Sequence, residues 1–190
     1  MLTIRTKPVY SKPAEPELMQ KLGIELPAGY TTLSQHQAET LKYMRDPDVE
    51  VIFNTAMTGD GKSLAAYLPV LQSQTSYTSV LAMYPTKELI QDQKRQVEKY
   101  QTAFHANKQL GVMDADILDE LDATLEWVSG RSDAIRQATN AEILLTNPDI
   151  FHYIMSFRYK DFGKTAENLV ARVINYYDVY LFDEFHIFQI

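Results

Sequence analysis

Residues 56–63 of this 190-residue chain have the composition of a phosphate-binding loop, with two glycines and then Lys62 and Ser63. Glycine lets the backbone curl so that successive N–H groups point at phosphate oxygens. The lysine can then reach the outer phosphates, and the serine hydroxyl can bind Mg²⁺. Ala56 stands where such loops usually begin with glycine. The candidate nucleotide-binding residues are Thr58, Gly59, Asp60, Gly61, Lys62 and Ser63, and Lys62 is also a catalytic candidate.

A second group of reactive side chains, Asp183, Glu184 and His186, follows the apolar run at 179–182. In a phosphate-loop protein, an acid at such a strand end binds Mg²⁺ together with the loop hydroxyl, here that of Ser63. Glu184 can orient the attacking water or accept its proton. Adjacent residues at a strand end point to opposite sides, so one acid can face the metal and the other the nucleophile. The plainer alternative is an acidic turn.

Short apolar runs that read as strands alternate with helical patterns, and each motif lies where a run ends. The predicted strands are residues 51–55, 79–84, 143–145 and 179–182. Helices are expected after Ser34 and Thr86 as N-caps, at 64–71 and at 165–176. This alternation predicts an α/β fold with a parallel sheet and helices on both faces. Ligands of such sheets bind at the carboxyl ends of the strands.

Two stretches are less regular. Residues 1–32 contain four prolines and predict an extended N-terminal arm, which leaves residues 33–190 as the domain. Residues 105–140 predict only an acidic helix with its apolar side at Ile117, Leu118, Leu121 and Leu125, and its carboxylates are interpreted as a solvated face.

Composition limits the classes of function. The net charge of −7 disfavours wrapping of duplex DNA, although a single strand can still be held through N–H groups and hydroxyls. The chain has no cysteine, which excludes disulfides and thiolate zinc sites. No apolar stretch of membrane-spanning length and no signal peptide are visible, so we expect a cytoplasmic protein without a membrane partner.

Together these motifs resemble the first RecA-like domain of superfamily-2 helicases of the DExH type. The resemblance implies ATP and Mg²⁺ as cofactors and single-stranded DNA as a partner. It also implies that Gln37 reads the adenine edge and that His186 couples the nucleotide state to a second RecA-like domain. Strand-end loops that grip the nucleic-acid backbone are expected at Thr86, Lys87, Thr146 and Asn147, although N-capping alone would explain both threonines.

Residues 145–149 and 182–186 are most similar to the helicase of type I CRISPR interference systems. No His-Asp nuclease motif precedes Gln37, a pattern similar to the stand-alone helicase subunit of type I-D systems. That resemblance implies an RNA-guided effector complex and a separate nuclease subunit as partners. Because the sequence stops four residues after His186, we expect 190 residues without the second domain to bind nucleotide weakly and to hydrolyse it barely.

Two other classes of function compete with a motor. A partner-docking module could use the nucleotide as a switch or not at all. A small-molecule phosphotransferase shares the loop chemistry but has no use for the coupling residue His186. His36, His105 and His152 show no metal-ligand spacing and are interpreted as core or surface residues.

Overall fold

The computed structural model describes residues 11–56, 59–72, 79–124, 131–156 and 169–184. The chain divides into two compact units, Met1–Pro69 and Val70–Ile190, which are described separately.

The first unit begins with a helix where an extended arm was expected. Helix α1 is Pro16–Leu22, with proline in its first turn and Gly23 in the left-handed conformation at its end (φ 59°). Proline at the start and glycine at the end of a helix are typical signals, and they outweigh the proline content of the segment. An antiparallel bridge pairs Pro13 with Ser34. The prediction of an extended arm is therefore wrong for residues 16–22.

Helix α2, Gln35–Met44, confirms the predicted start at Ser34. The Ser34 N–H donates to Gln37 Oε1 at 3.0 Å, which satisfies one of the N–H groups at the helix start. Ala38 and Leu41 lie on the buried face of α2.

Residues 51–56 do not form the predicted strand. The side chains of Val51 and Phe53 are 68% and 74% exposed. Asn54 Oδ1 instead accepts a hydrogen bond from the Ala56 N–H at 3.1 Å, a local turn that competes with strand pairing. An apolar run becomes a strand only when a neighbouring strand takes up its backbone hydrogen bonds.

Helix α3, Lys62–Leu71, confirms the helix predicted after the glycine-rich loop. Leu64, Ala65 and Leu68 on this helix are buried. The boundary between the two units falls within α3.

The second unit is built on a four-stranded parallel sheet in the order β2-β3-β1-β4. Its strands are β1 Val80–Met83, β2 Leu110–Met113, β3 Ile143–Thr146 and β4 Val179–Phe182. Every residue of the two central strands is buried, so both faces of the sheet are covered. The predicted strands at 79–84, 143–145 and 179–182 are confirmed.

Strand β2 was not predicted. Gly111 interrupts its apolar pattern, and a Cβ at that position would lie 2.8 Å from Ala141 Cβ. The glycine is therefore required by close packing, which removes the side chain that would have marked a strand. At the start of β2 the Gln109 N–H and the Lys108 ammonium donate to the Glu142 carboxylate. Partial burial raises the pKa of Glu142, but these two donors outweigh it and hold the pKa below its ordinary value.

Helices surround the sheet of the second unit. They are α4 Lys87–Phe104, α5 Ala115–Thr124, α6 Arg131–Ala138, α7 Pro148–Met155 and α8 Leu169–Tyr176. A core cluster joins β1, β3 and helices α5 to α8 through side chains such as Leu81, Leu144 and Val173. Helix α4 packs on β2 and β3 through residues outside that cluster, which assigns it to the other face.

The helix predictions have mixed outcomes. Thr86 caps α4 as expected, with Ile90 and Val97 buried. Helix α6 was not predicted, and α7 was expected only through the N-capping alternative for Thr146, one residue before the actual cap. The predicted helix at 165–176 is confirmed from Leu169 onward, and residues 165–168 lie outside the described part. Within the described residues, no helix combines the length and apolar character needed to cross a membrane.

Candidate functional site

The glycine-rich loop has the backbone conformation that the sequence predicted. Gly59 and Gly61 have φ values of 87° and 77°, in the left-handed region that favours glycine. The Gly61 carbonyl accepts the first helical hydrogen bond of α3, from the Ala65 N–H at 3.2 Å. Lys62 and Ser63 are therefore the first two residues of the helix, where backbone N–H groups have no helical partner. Thr58 lies outside the described residues.

Helix α2 contacts the backbone of the loop through two successive side chains. His36 Nε2 lies 2.8 Å from the Asp60 carbonyl oxygen, and Gln37 Nε2 donates to the Gly61 carbonyl oxygen at 3.1 Å. The Asp60 carboxylate also accepts a hydrogen bond from the Ser11 hydroxyl. Two consecutive loop carbonyls thus have fixed partners.

Gln37 has a structural role in addition to the predicted adenine contact. Its side-chain oxygen accepts from the Ser34 N–H and its nitrogen donates to Gly61, and the residue is 8% exposed. The part played by His36 was missed. It lies 24 residues from Asp60 in sequence, so no local spacing marks the contact.

The loop fits a phosphate group. Backbone N–H groups in a left-handed glycine turn, followed by a helix N-terminus, are the donors that bind phosphate in proteins. Among the described residues no cluster of three or more His, Asp or Glu side chains could hold a metal alone.

The acidic motif of the second unit follows β4 directly. The Asp183 N–H donates to the Met83 carbonyl at 3.1 Å, which continues the pairing of β4 with β1. Glu184 has φ 50°, rare for a residue other than glycine, so the chain turns immediately after the strand. Asp183 is half-buried and Glu184 exposed. His186 lies outside the described residues, and the catalytic and metal-binding roles of all three stay predictions.

The predicted nucleic-acid residues lie at the carboxyl ends of β1 and β3, two adjacent parallel strands. Thr86 Oγ1 accepts from the Leu89 N–H at 3.3 Å, and Asn147 Oδ1 accepts from the Ile150 N–H at 2.9 Å. Asn147, not Thr146, is the N-cap of α7. Both caps leave the N-terminus of a helix directed at the same edge of the sheet.

Thr146 is fully buried, and its hydroxyl donates to the Met113 carbonyl at 2.7 Å. This side chain stabilises the contact of β3 with β2 and does not reach the surface. The prediction that its side chain grips nucleic acid is therefore not supported by its position.

Lys87, the fourth nucleic-acid candidate, is paired with an acid. Its ammonium donates to Asp116 Oδ2 at 2.5 Å, and the two side chains are 48% and 74% exposed. The hydrogen bond to Asp116 raises the pKa of Lys87 above its ordinary value. Asp114, two residues earlier, accepts from the Ile117 N–H at the start of α5. The acidic end of α5 thus lies beside the predicted nucleic-acid edge.

Comparison with known proteins identifies the family. Residues 34–189 match the DEAD/DEAH box helicase family. The chain is 30% identical over 154 residues to an uncharacterized ATP-dependent helicase, YprA, of Bacillus subtilis, a match covering 77% of this chain and 18% of YprA. It is 33% identical over 120 residues to the ATP-dependent helicase hrq1 of Schizosaccharomyces pombe, covering 62% of this chain and 10% of hrq1.

Among solved structures, the chain is similar to the DUF1998 helicase MrfA bound to DNA and AMPPNP. The TM-score is 0.62 with 24% identity, over 97% of this chain and 24% of MrfA. The parallel sheet and these matches confirm the predicted α/β RecA-like fold. The chain spans less than a fifth of the length of the two curated relatives.

Proposed function

Since the chain belongs to the DEAD/DEAH box helicase family, we propose that it is the nucleotide-binding domain of an ATP-dependent helicase or translocase. The observation that carries this proposal is the phosphate-binding loop. Two left-handed glycines precede Lys62 and Ser63 at the start of α3. The loop carbonyls are held from the α2 side, which leaves the N–H groups for phosphates.

In the proposed site Lys62 binds the outer phosphates of ATP, and Ser63 and Asp183 bind Mg²⁺. Glu184 orients the attacking water, and Gln37 contacts the adenine while holding the loop. Bound Mg²⁺ would neutralise charge on the phosphates during transfer. The residue types and the family match support these assignments.

Single-stranded DNA is the proposed nucleic-acid partner. Thr86, Lys87 and Asn147 gather at the carboxyl edge of the sheet, where the starts of α4 and α7 offer N–H groups to backbone phosphates. The similar helicase MrfA has been solved bound to DNA, which favours DNA as the partner.

A narrower proposal concerns CRISPR interference. Only the resemblance of residues 145–149 and 182–186 supports an RNA-guided effector complex and a separate nuclease subunit as partners. The similar proteins described above are helicases whose names carry no such role. A docking module remains the alternative function, with nucleotide as a switch or unused.

The deciding experiment measures binding of fluorescent ATP in the presence of Mg²⁺ to the 190-residue chain and to Lys62→Ala. A charge-assisted contact to phosphate is lost, so Kd should rise by at least about tenfold. Lys42→Ala, an exposed lysine on α2, is the matched control and should bind as the unsubstituted chain does. Equal affinities for the Lys62 variant and the control would refute nucleotide binding at this loop and favour the docking module.

A further inference from the structure

We propose that His36 is a positioning residue for nucleotide binding, which holds the Asp60 carbonyl through Nε2 and so directs the next N–H of the loop toward the phosphates. This inference rests on the nucleotide site proposed above. It assigns a role in phosphate binding to a residue outside the loop.

The hydrogen-bond partners of His36 determine which ring nitrogen carries the proton. Asn54 Nδ2 lies 3.3 Å from His36 Nδ1, and an amide nitrogen can only donate, so Nδ1 accepts. The proton therefore lies on Nε2, which is 2.8 Å from the Asp60 carbonyl oxygen, an acceptor. Both contacts are satisfied by the same tautomer of the ring.

Asn54 is itself fixed in the orientation that this form needs. Its Oδ1 accepts from the Ala56 N–H at 3.1 Å, so Nδ2 is the atom that faces the ring. Nδ2 also donates to Thr40 Oγ1 at 3.1 Å, and the Thr40 hydroxyl donates to the His36 carbonyl at 2.7 Å. The turn before the loop thus sets the tautomer of a histidine that contacts the loop itself.

Peptide geometry connects this contact to phosphate binding. In a trans peptide the C=O and the following N–H point in opposite directions. Because His36 holds the Asp60 carbonyl toward α2, the Gly61 N–H points away from α2. Gln37 does the same for the Gly61 carbonyl, so the Lys62 N–H also points away. Two consecutive N–H groups on one side of a glycine turn form an anion-binding concavity.

The peptide between Asp60 and Gly61 needs such a support. Glycine populates left-handed and right-handed conformations about equally, so this peptide can rotate when nothing holds it. A rotated peptide would present a carbonyl oxygen to the phosphates in place of an N–H. His36 acts against that rotation, and the expected loss on its removal is in nucleotide affinity.

Two amide substitutions distinguish the roles of the two ring nitrogens of His36. The amide nitrogen of His36→Gln can reach the place of Nε2 and donate to Asp60, whereas the shorter His36→Asn reaches only the place of Nδ1. Binding of fluorescent ATP with Mg²⁺ to the 190-residue chain should weaken about fivefold in His36→Asn and less than about twofold in His36→Gln. His152→Ala, at an exposed histidine on α7, is the control and should bind unchanged.

Urea unfolding of the same variants tests whether either substitution causes a general loss of structure. A purely structural role of His36 would lower the ATP affinity of both amide variants alike. Equal affinities of His36→Gln and His36→Asn overturn the inference. If His36→Asn fails to fold, Asn54→Ser replaces it. Without the Nδ2 donor the tautomer is no longer fixed, so Kd should rise about two- to threefold, and an unchanged Kd overturns the inference.

The Lys62→Ala variant separates this inference from the function on which it rests. If Lys62→Ala binds ATP normally, the nucleotide site itself is refuted. If Lys62→Ala loses ATP binding while the His36 variants bind ATP with unchanged affinity, only the role of His36 is refuted.

Discussion

Replacing Gly61 with alanine should disrupt the phosphate-binding loop through two separable effects. The first is backbone strain, because alanine at φ 77° costs about 1–2 kcal/mol. The second is steric, because a Cβ at this position would lie 2.5 Å from Gln37 Nε2. The amide must then move and lose its bonds to Gly61 and Ser34, at about 1 kcal/mol each. The total expected loss in the free energy of unfolding is about 3–4 kcal/mol.

Gly59→Ala is the matched control. Gly59 has a similar φ of 87°, but a Cβ there would meet nothing within 4 Å. Only the backbone strain of about 1–2 kcal/mol applies. The difference between the two alanine variants, about 2 kcal/mol, therefore measures the two hydrogen bonds of the Gln37 amide, to Gly61 and to Ser34.

Urea unfolding followed by circular dichroism gives these free energies, and a double variant tests their origin. Gln37→Ala should destabilise the unsubstituted chain by about 2 kcal/mol but add almost nothing to Gly61→Ala, because the same bonds are already lost. Equal losses for the two glycine variants would refute the steric reasoning. Additive losses in the double variant would refute the assigned contact.

Three further substitutions test other parts of the molecule. Asp116→Asn releases Lys87 from its ion pair, so affinity for oligo-dT, measured by anisotropy at low salt, should rise about two- to fivefold; an unchanged Kd contradicts a role for Lys87 in DNA binding. Thr146→Val removes a buried hydroxyl donor, and the free energy of unfolding in urea should fall by about 1–3 kcal/mol; an unchanged value contradicts the bond. Glu142→Gln should cost about 1 kcal/mol at pH 7. The folded-state pKa of Glu142 lies below its ordinary 4.5, so this cost should vanish as the pH falls through the folded-state value; a cost independent of pH contradicts the ionised contact.

The sequence predicted those features that local chemistry determines. Glycine at 59 and 61 with Lys62 and Ser63 indicated the loop because the backbone conformation requires those residue types. Thr86 indicated the start of α4 because its side chain satisfies an N–H of the helix that it begins.

The remaining features depend on contacts between residues distant in sequence. Gly111 weakens the pattern of β2 because Ala141 packs against it, and nothing near Gly111 reveals that neighbour. Thr146 and Asn147 are adjacent polar residues, yet the first points into the core and the second caps a helix. The pleat of β3 decides which of the two side chains faces the core, and a short motif does not encode that direction. The contact of His36 with Asp60 likewise depends on how α2 packs against the loop.

The strand order has a consequence for how this chain folds. Among the described residues, the central strand β1 pairs with β3 and β4, which come much later, and Ser79 beside it bonds to Asp178, 99 residues away. During synthesis β1 leaves the ribosome long before β4, so the apolar residues of β1 are at first without their final partners. Parallel pairing at such separation is slow because a long loop must close before any contact forms. Between the synthesis of β1 and that of β4, the unpaired edges and apolar residues of β1 are open to aggregation.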